Sequence, residues 1–211
     1  MSKNKVYLLG AGGFARETLD IYIDLNRAGD VLGFVEQNSK RVGEMLNGKR
    51  IFDEKILDDV SSDVKLIGAI GSSKRRAWIE RLEQQGFKFD TVVHPSVIKS
   101  KWVKFGNGCI VCAGNIFTCN IEIGDHTILN LGCTVGHDVK MGRFITVSPR
   151  SNISGNVTIE DEVWVGSGST IIEKTRVGKG AYIGAGACVI DDIPAKTLAV
   201  GVPAIAKKKL E

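Results

Sequence analysis

The chain has 211 residues, of which 43% are hydrophobic and 25% charged, with a formal net charge of +4. This length suits one domain or two small ones. The apolar runs are too short for a membrane span, and the basic residues are too dispersed for a nucleic-acid surface. Five cysteines, an odd number, and a beginning without an apolar leader indicate a reduced protein, so we expect it in the cytoplasm.

The N-terminal segment predicts a strand, a glycine turn and a helix in direct succession. Residues 5–9 predict a buried strand, and Gly10, Gly12 and Gly13 follow it at once. The helix after them has an apolar stripe of Leu19, Tyr22, Ile23 and Leu25. In this context the backbone N–H groups and the helix N-terminus face a phosphate. Glycines that serve only close packing remain the alternative.

Two further strands complete one βαβαβ unit. Residues 31–36 predict a strand that ends in Glu36, about twenty residues after the glycines, where dinucleotide folds bind a ribose hydroxyl. Residues 64–70 predict a third strand, followed by a turn and N-cap at residues 71–73. The next helix carries Ala77, Trp78 and Leu82 and stops at Gly86. A single unit, rather than two, favours a mononucleotide phosphate over NAD.

A six-residue repeat dominates the second half of the chain. Residues 105–194 divide into fifteen consecutive hexads without an insertion, and every first residue is large and apolar. These first residues are Phe105, Val111, Phe117, Ile123, Leu129, Val135, Met141, Val147, Ile153, Ile159, Val165, Ile171, Val177, Ile183 and Val189. Neither a strand nor a helix has period six. We therefore predict a coil of five rungs with three faces each, with one inward apolar residue per face and small residues and glycines at the turns.

This repeat resembles that of the hexapeptide-repeat acyltransferases. The resemblance implies a left-handed parallel β-helix and a homotrimer with active sites between neighbouring coils. Residues 201–204, Gly-Val-Pro-Ala, match the segment that closes the family's coil. With Pro95 as the boundary, we expect an α/β half-Rossmann nucleotide-sugar-binding domain at 1–95. An all-β acyltransferase domain with a C-terminal tail then spans 96–211.

The two halves in this order resemble the bacterial nucleotide-sugar N-acetyltransferases and the sialic acid O-acetyltransferases. The resemblance implies that the nucleotide sugar binds to Gly10, Gly12, Gly13, Glu36 and Arg76, with Arg75 as the neighbouring alternative to Arg76. The family often has two successive acids after the second strand. Here Gln37 follows Glu36, so the base that is recognised stays open.

One histidine in the repeat carries the predicted chemistry. His137 is third in its hexad, so it faces outward and is either solvated or functional. The resemblance implies that His137 is the general base and that Asp138 orients it. It also implies an acetyl-CoA site at Thr146, Gly155, Ser167 and Ala185, in which the Gly155 N–H binds the developing oxyanion and Thr146 replaces a second histidine.

We therefore expect an acetyl-CoA-dependent N-acetyltransferase acting on the 4-amino group of a nucleotide-linked 4-amino-4,6-dideoxy sugar. A sialic acid-type O-acetyltransferase is the alternative. Less favoured are a zinc carbonic anhydrase, a non-catalytic scaffold, an acyl-enzyme on Cys133 and a metal site at Cys109 and Cys112. We expect no metal, nucleic acid or membrane among its partners.

Overall fold

The computed structural model describes residues 5–37 and 39–210. Residues 1–4, on which part of the leader prediction rests, lie outside this range. The chain divides into two compact units, Met1–Pro95 and Ser96–Glu211. Within the described residues, no helix has the length and apolar character needed to cross a membrane.

The first unit contains a five-stranded sheet with two α-helices. The strands in chain order are β1 (Val6–Leu9), β2 (Val31–Glu36), β3 (Met45–Leu46), β4 (Lys49–Asp53) and β5 (Lys65–Ile67), and a short β6 (Val92–Val93) follows. The helices are α1 (Gly13–Asp24) and α2 (Arg75–Gln84), with 3-10 turns at Ala28–Asp30 and Glu54–Asp59. The sheet order is β3-β4-β2-β1-β5, parallel except for the β3–β4 hairpin. The predicted α/β unit is confirmed, with a shorter third strand than expected.

The β3–β4 hairpin is absent from the sequence prediction. Its turn is Asn47-Gly48, and both residues have positive φ angles, of 45° and 77°. Such a pair is a strong hairpin signal, because a two-residue turn needs positive φ at both positions. The hairpin sends β4 alongside β2 and ends at the 3-10 turn that begins with Glu54.

The buried faces of both helices differ from the predicted stripes. In α1 the buried residues are Ala15, Thr18, Leu19, Ile21 and Tyr22, whereas Ile23 is 47% exposed. The buried sector is centred near Tyr22 and extends towards Ile21, which leaves Ile23 at its edge. In α2 Ala77 is exposed and Ile79 is buried. The N-cap of α2 is Lys74, and the Ser72 hydroxyl accepts a hydrogen bond from the Lys74 N–H in the turn before it.

The second unit is a parallel β-coil with three faces. The first face contains β7 (Ile98–Lys99), β10 (Ile116–Phe117), β13 (Thr134–Val135), β16 (Asn152–Ile153), β19 (Thr170–Ile171) and β22 (Cys188–Val189). The second contains β8 (Val103–Phe105), β11 (Ile121–Ile123), β14 (Lys140–Met141), β17 (Thr158–Ile159) and β20 (Arg176–Val177). The third contains β9 (Ile110–Val111), β12 (Ile128–Leu129), β15 (Thr146–Val147), β18 (Trp164–Val165), β21 (Tyr182–Ile183) and β23 (Thr197–Val200).

The register confirms the six-residue period. Ile116 pairs with Thr134, and Thr134 pairs with Asn152, so each rung takes 18 residues, or three hexads. A final strand, β24 (Ile205–Lys209), returns antiparallel to β23. Between them the Gly201 carbonyl accepts from the Cys188 N–H, and the Ala204 N–H donates to the Cys188 carbonyl, so residues 201–204 close the coil.

Packing inside the coil differs from the prediction in two ways. The first residues from Val111 to Val189 are buried as expected, but the fifth residues are buried too, so each hexad contributes two side chains to the core. Positive φ angles occur at the fourth position, including Asp138 and Asn156, and not at the second-position glycines. Those glycines are required by space, because a Cβ on Gly166 would lie 2.5 Å from the Ala185 nitrogen of the next rung.

A row of polar side chains lies inside one edge of the coil, at the fifth positions. Ser151 donates to the carbonyls of Ser148, in its own turn, and Gly166, in the next rung, at 2.8 and 3.0 Å. The side chains that make this double contact are Asn115, Cys133, Ser151 and Ser169. Because each satisfies carbonyls in two successive rungs, the row joins the rungs through hydrogen bonds.

Candidate active site

His137 lies on the edge of the coil that follows the first face. It comes two residues after Val135 of β13, and its side chain is 56% exposed. Asp138, in the fourth position, has a φ of 59°, and its Oδ2 lies 2.8 Å from Nδ1 of His137. The left-handed turn therefore holds a carboxylate beside the imidazole of the preceding residue.

The Asp138 carboxylate is held in its charged form. Hydrogen bonds from His137 and from the Asn120 amide, at 3.3 Å, keep the pKa of Asp138 below its ordinary value. A charged carboxylate accepts hydrogen bonds and cannot donate, so Nδ1 of His137 is the donor. The neutral imidazole then has its lone pair on Nε2, the nitrogen that faces away from Asp138.

Gly155, one rung further, lies directly against the imidazole. A Cβ added to Gly155 would lie 2.6 Å from Nε2 and 2.7 Å from Cε1 of His137. Only glycine therefore leaves room for the ring in this orientation. The His137 carbonyl accepts from the Asn156 N–H, whereas the hydrogen bonds of the described residues leave the Gly155 N–H unused. On this edge Nε2 of His137, which can accept a proton, therefore lies close to the Gly155 N–H, which can donate a hydrogen bond.

The other residues predicted for acetyl-CoA lie elsewhere on the coil. Ser167 and Ala185 are exposed third-position residues, one rung apart, on the edge that follows the third face. Hydrogen bonds among the described residues leave their N–H groups unused as well. Thr146 belongs to β15 on the third face and is 3% exposed. Within one chain, His137, Asp138 and Gly155 therefore form one group. Ser167 and Ala185 form a second group, and Thr146 belongs to neither.

Cys109 and Cys133 have structural environments. Cys133 is fully buried, its thiol donates to backbone carbonyls, and burial raises its pKa. Burial raises the pKa of Cys109 to about 12. A nucleophile needs the thiolate, which such environments disfavour. No group of three His, Cys, Asp or Glu residues that could hold a metal occurs in the parts of the chain that the structure describes.

The glycine turn of the first unit borders a cleft of about 610 Å³. The cleft is lined by Gly10, Ala11, Gly12, Gly13, Phe14, Glu36, Gln37, Ser39, Ala69, Ile70, Gly71, Ser72, Lys74 and Trp78. Gly10 has a φ of 97° and donates to the Val35 carbonyl, which folds the turn over the ends of the strands. Oε1 of Glu36 accepts from the Ala11 N–H at 3.2 Å. The three predicted glycines and Glu36 thus lie in one cleft.

The predicted arginine has a different environment. Nε of Arg76 lies 2.8 Å from Oε1 of Glu80, and Arg76 is not among the described residues that line the cleft. Arg75 is 1% exposed, and its guanidinium donates to the Ser72 carbonyl. Lys74, just before α2, lines the cleft instead. The sequence prediction missed Lys74 and also missed Trp78, whose place in the helix stripe identified it only as a core residue.

Comparison with known proteins identifies the family. Residues 5–82 match the family described as PglD N-terminal domain, and residues 156–191 match bacterial transferase hexapeptide (six repeats). A Schizosaccharomyces pombe protein named as an acetyltransferase is 30% identical over 191 residues, covering 83% of this chain and 88% of that protein. The chain belongs to the hexapeptide-repeat acetyltransferases, whose coil is a left-handed β-helix.

Two solved structures resemble this acetyltransferase over almost its whole length. PerB from Caulobacter crescentus, in complex with CoA and GDP-perosamine, is 28% identical with a TM-score of 0.87, covering 97% of both chains. The acetyltransferase domain of PglB from Neisseria gonorrhoeae is also 28% identical, with a TM-score of 0.88, covering 98% of this chain and 100% of that one. GDP-perosamine N-acetyltransferase of Escherichia coli O157:H7 is 28% identical, over 85% of this acetyltransferase and 82% of the relative.

Proposed function

We propose that this protein is an acetyl-CoA-dependent N-acetyltransferase that acetylates the 4-amino group of a nucleotide-linked 4-amino-4,6-dideoxy sugar. The observation that carries the proposal is the resemblance, over both units, to PerB in complex with CoA and GDP-perosamine. The glycine-lined cleft and the His137–Asp138 pair are the features of this chain that suit such a reaction.

In the proposed reaction the unprotonated amine attacks the thioester carbonyl directly. As the new C–N bond forms, Nε2 of His137 removes a proton from the nitrogen. The Gly155 N–H donates to the carbonyl oxygen, which becomes negative in the transition state. The C–S bond then breaks, and the imidazolium returns its proton to the leaving thiolate. Asp138 stabilises the imidazolium between these two transfers, because its carboxylate is charged.

The cleft of the first unit is the proposed site of the nucleotide. Its glycine turn, at Gly10, Gly12 and Gly13, leads directly into α1, so backbone N–H groups and a helix N-terminus meet the phosphates. Lys74 supplies the positive side chain in place of Arg76, because Lys74 lines the cleft and Arg76 pairs with Glu80. Glu36 has one carboxylate oxygen on the Ala11 N–H, and the other is the acceptor for a ribose hydroxyl.

The proposed acetyl-CoA site requires more than one copy of the chain. Gly155 lies on the edge after the first face, whereas Ser167 and Ala185 lie on the edge after the third. A single pantetheine arm does not follow two edges of one coil. In a homotrimer, the His137 edge of one copy lies next to the Ser167 edge of another, and one arm then meets the free N–H groups of both.

O-acetylation is the alternative reaction on the same coil. The galactoside O-acetyltransferase of Lactococcus lactis is 28% identical, but the matched region covers 64% of this chain. A free sugar needs no phosphate-binding turn, and the N-terminal cleft would then have no ligand. The cleft therefore favours the nucleotide-linked amine.

The experiment is to incubate purified protein with acetyl-CoA and one acceptor at a time. The acceptors are UDP-, dTDP- and GDP-linked 4-amino sugars and free sialic acid. We expect one nucleotide sugar to gain an acetyl group that resists alkaline hydroxylamine, as an amide does and an ester does not. An acetyl group on sialic acid alone, or one that hydroxylamine removes, would contradict the proposal.

A further inference from the structure

Three side chains converge on the carboxylate of Glu54, at the start of the 3-10 turn after β4. Nε2 of Gln37 donates to Oε2 of Glu54 at 2.9 Å. The indole N–H of Trp78 and the guanidinium of Arg81, both from α2, donate to Oε1. We call these four residues the Glu54 cluster; it joins the end of β2 to α2 through one carboxylate.

Two members of the Glu54 cluster line the cleft, and two support them from outside. Gln37 and Trp78 line it, whereas Glu54 and Arg81 are not among the described residues that do. Trp78 is 8% exposed, so its indole is packed on most sides and forms a fixed wall. The side chain of Glu54 is 23% exposed; its hydrogen bond from Trp78 is partly buried, whereas those from Gln37 and Arg81 lie at the surface.

The hydrogen bond to Glu54 determines which way the Gln37 amide points. Its NH2 group is held by the carboxylate, and the reverse orientation would place the amide oxygen against a negative charge. The Gln37 oxygen is therefore presented as an acceptor. A fixed aromatic wall and a fixed amide acceptor suit a flat heterocycle with an N–H on its edge.

The order of residues along the cleft indicates where the flat heterocycle of the ligand would lie. The glycine turn is bonded to Glu36 through the Ala11 N–H, and Gln37 is the next residue along the chain. With the phosphates at the glycine turn and the ribose at Glu36, the nucleobase lies at Gln37. This step rests on the proposed function, which supplies the nucleotide.

We propose that Glu54 is a positioning residue for nucleobase recognition, acting through Gln37 and Trp78. By fixing the Gln37 oxygen as an acceptor, it selects bases whose ring nitrogen carries a hydrogen, namely uracil, thymine and guanine. It disfavours cytosine and adenine, whose corresponding ring nitrogen is an acceptor and whose donor on this edge is the neighbouring amino group, displaced from the position that Gln37 faces. A base that donates a hydrogen bond to the Gln37 oxygen should bind about tenfold more tightly than a base that leaves this oxygen unpaired.

The test measures binding of UDP, dTDP, GDP, CDP and ADP to the full-length protein by isothermal titration calorimetry. The variants are Glu54→Gln, which removes the charge but keeps the shape, and Gln37→Ala. Asp59→Asn is the control, since it makes the same charge change at an exposed residue of the same 3-10 turn. Steady-state kinetics then give the KM for the nucleotide sugar, the KM for acetyl-CoA and kcat.

We expect the wild-type protein and Asp59→Asn to bind at least one of UDP, dTDP and GDP about tenfold more tightly than CDP and ADP. Glu54→Gln lets the Gln37 amide take either orientation, so this ratio falls towards one. The KM for the nucleotide sugar rises, while kcat and the KM for acetyl-CoA change little. In Gln37→Ala protein, Glu54→Gln has no further effect on the ratio.

Three results would overturn the proposal, and they differ in what they leave standing. If Glu54→Gln keeps the wild-type preference among the bases, Glu54 has no positioning role, but the acetyl transfer itself is unaffected. If the wild-type protein binds none of the five diphosphates, both this proposal and the nucleotide part of the proposed function fail. If Glu54→Gln raises the KM for acetyl-CoA along with the KM for the nucleotide sugar, the role of Glu54 is not confined to the base, and the proposal also fails.

Discussion

The imidazole of His137 rests on the backbone of Gly155, and this contact connects two residues that are 18 positions apart. The glycine has an ordinary φ, and the atoms nearest to an added Cβ all belong to the imidazole. Space for the ring, rather than backbone conformation, therefore explains the glycine. On its other side the ring is held by Asp138, so two neighbours determine where Nε2 lies.

Gly155→Ala tests this contact. The added methyl group displaces the imidazole, and we expect kcat to fall towards that of His137→Ala while the melting temperature stays close to wild type. The control is a double-mutant cycle: in His137→Ala protein, Gly155→Ala should cost no further activity. Full activity in Gly155→Ala protein would show that the position of the ring is not used.

The charge on Asp138 predicts a pH effect. The pKa of Asp138 lies below the ordinary pKa of an aspartate. The charged carboxylate, with its hydrogen bond from His137, is therefore fully present above the ordinary pKa and is lost only as the pH falls through the lowered pKa of Asp138. Asn120→Ala removes one of the two donors, so the pKa of Asp138 rises. In a pH–rate profile, as the pH falls, protonation of the base His137 lowers kcat/KM first. We expect the further decline that follows protonation of Asp138 to begin at a higher pH in Asn120→Ala, with the neutral plateau kept.

Lys174→Ala is the control for Asn120→Ala. Lys174 is exposed, occupies the same fourth position on the same edge, and also has a positive φ, of 64°. Its profile should superimpose on that of the wild type. An unshifted profile for Asn120→Ala would mean that the Asp138 charge does not control the acid limb.

At the level of the elements, successive rungs lie so close together that a side chain larger than glycine does not fit at some positions. From β7 to β22 every parallel pair of the coil advances by 18 residues, so each position meets its equivalent in the next rung. At the second position the neighbouring backbone comes closest, and at the fourth position the chain turns with a positive φ. Glycine is therefore needed for different reasons at the two positions, and at the fourth an asparagine is an adequate replacement.

Gly166→Ala and Gly168→Asn separate these two reasons. A Cβ on Gly166 would lie 2.5 Å from a backbone nitrogen, whereas a Cβ on Gly168 has no neighbour within 4 Å among the described residues. We expect Gly166→Ala to lower the free energy of unfolding by about 1–3 kcal/mol, as overpacking does. Gly168→Asn should change it little, because Asn tolerates a positive φ. Urea unfolding followed by circular dichroism measures both, and equal midpoints would contradict the spacing argument.

The coil was predictable from sequence because one local geometry repeats in every rung. The period alone gave the inward first positions and the 18-residue register. The outward environment was not predictable in this way: Thr134 and Thr146 hold the same sixth position, yet Thr134 is exposed and Thr146 is 3% exposed. Whether an outward side chain is covered depends on what packs over its face, which the repeat does not encode.

The cleft was predicted in part. The glycine turn and Glu36 follow from a strand, a turn and a helix that are contiguous in the chain. The assignment of the positive side chain to Arg76 stays a prediction; in the structure α2 begins at Arg75, and the helical spacing of four residues brings Arg76 to Glu80. The Glu54 cluster joins residues that are 17, 24 and 27 positions apart, and contacts of this kind have no local signal.

In the molecule as a whole, the proposed acetyl-CoA site needs more than one copy of the coil. Residues assigned to one acetyl-CoA molecule occupy two edges of a single chain. We therefore propose that the acetyl-CoA site is assembled from two copies, each of which contributes one edge.

Intersubunit complementation tests this requirement. His137→Ala and Ala185→Trp should each be inactive, the first without its base and the second with a blocked cofactor edge. Co-expressed in equal amounts, they form mixed trimers in which about a quarter of the sites combine an intact His137 edge with an intact Ala185 edge. We expect activity near that fraction of wild type. No recovered activity in trimers shown to be mixed would contradict a shared site.

In the proposed reaction His137 removes the proton from the amine of a nucleotide-linked sugar. The most direct measurement is the rate of CoA release from acetyl-CoA with the cognate nucleotide amino sugar, for wild type and His137→Ala. We predict a fall in kcat of about 10²- to 10⁴-fold, with little change in the KM for either substrate. Release by His137→Ala at the wild-type rate would mean that His137 is not the base.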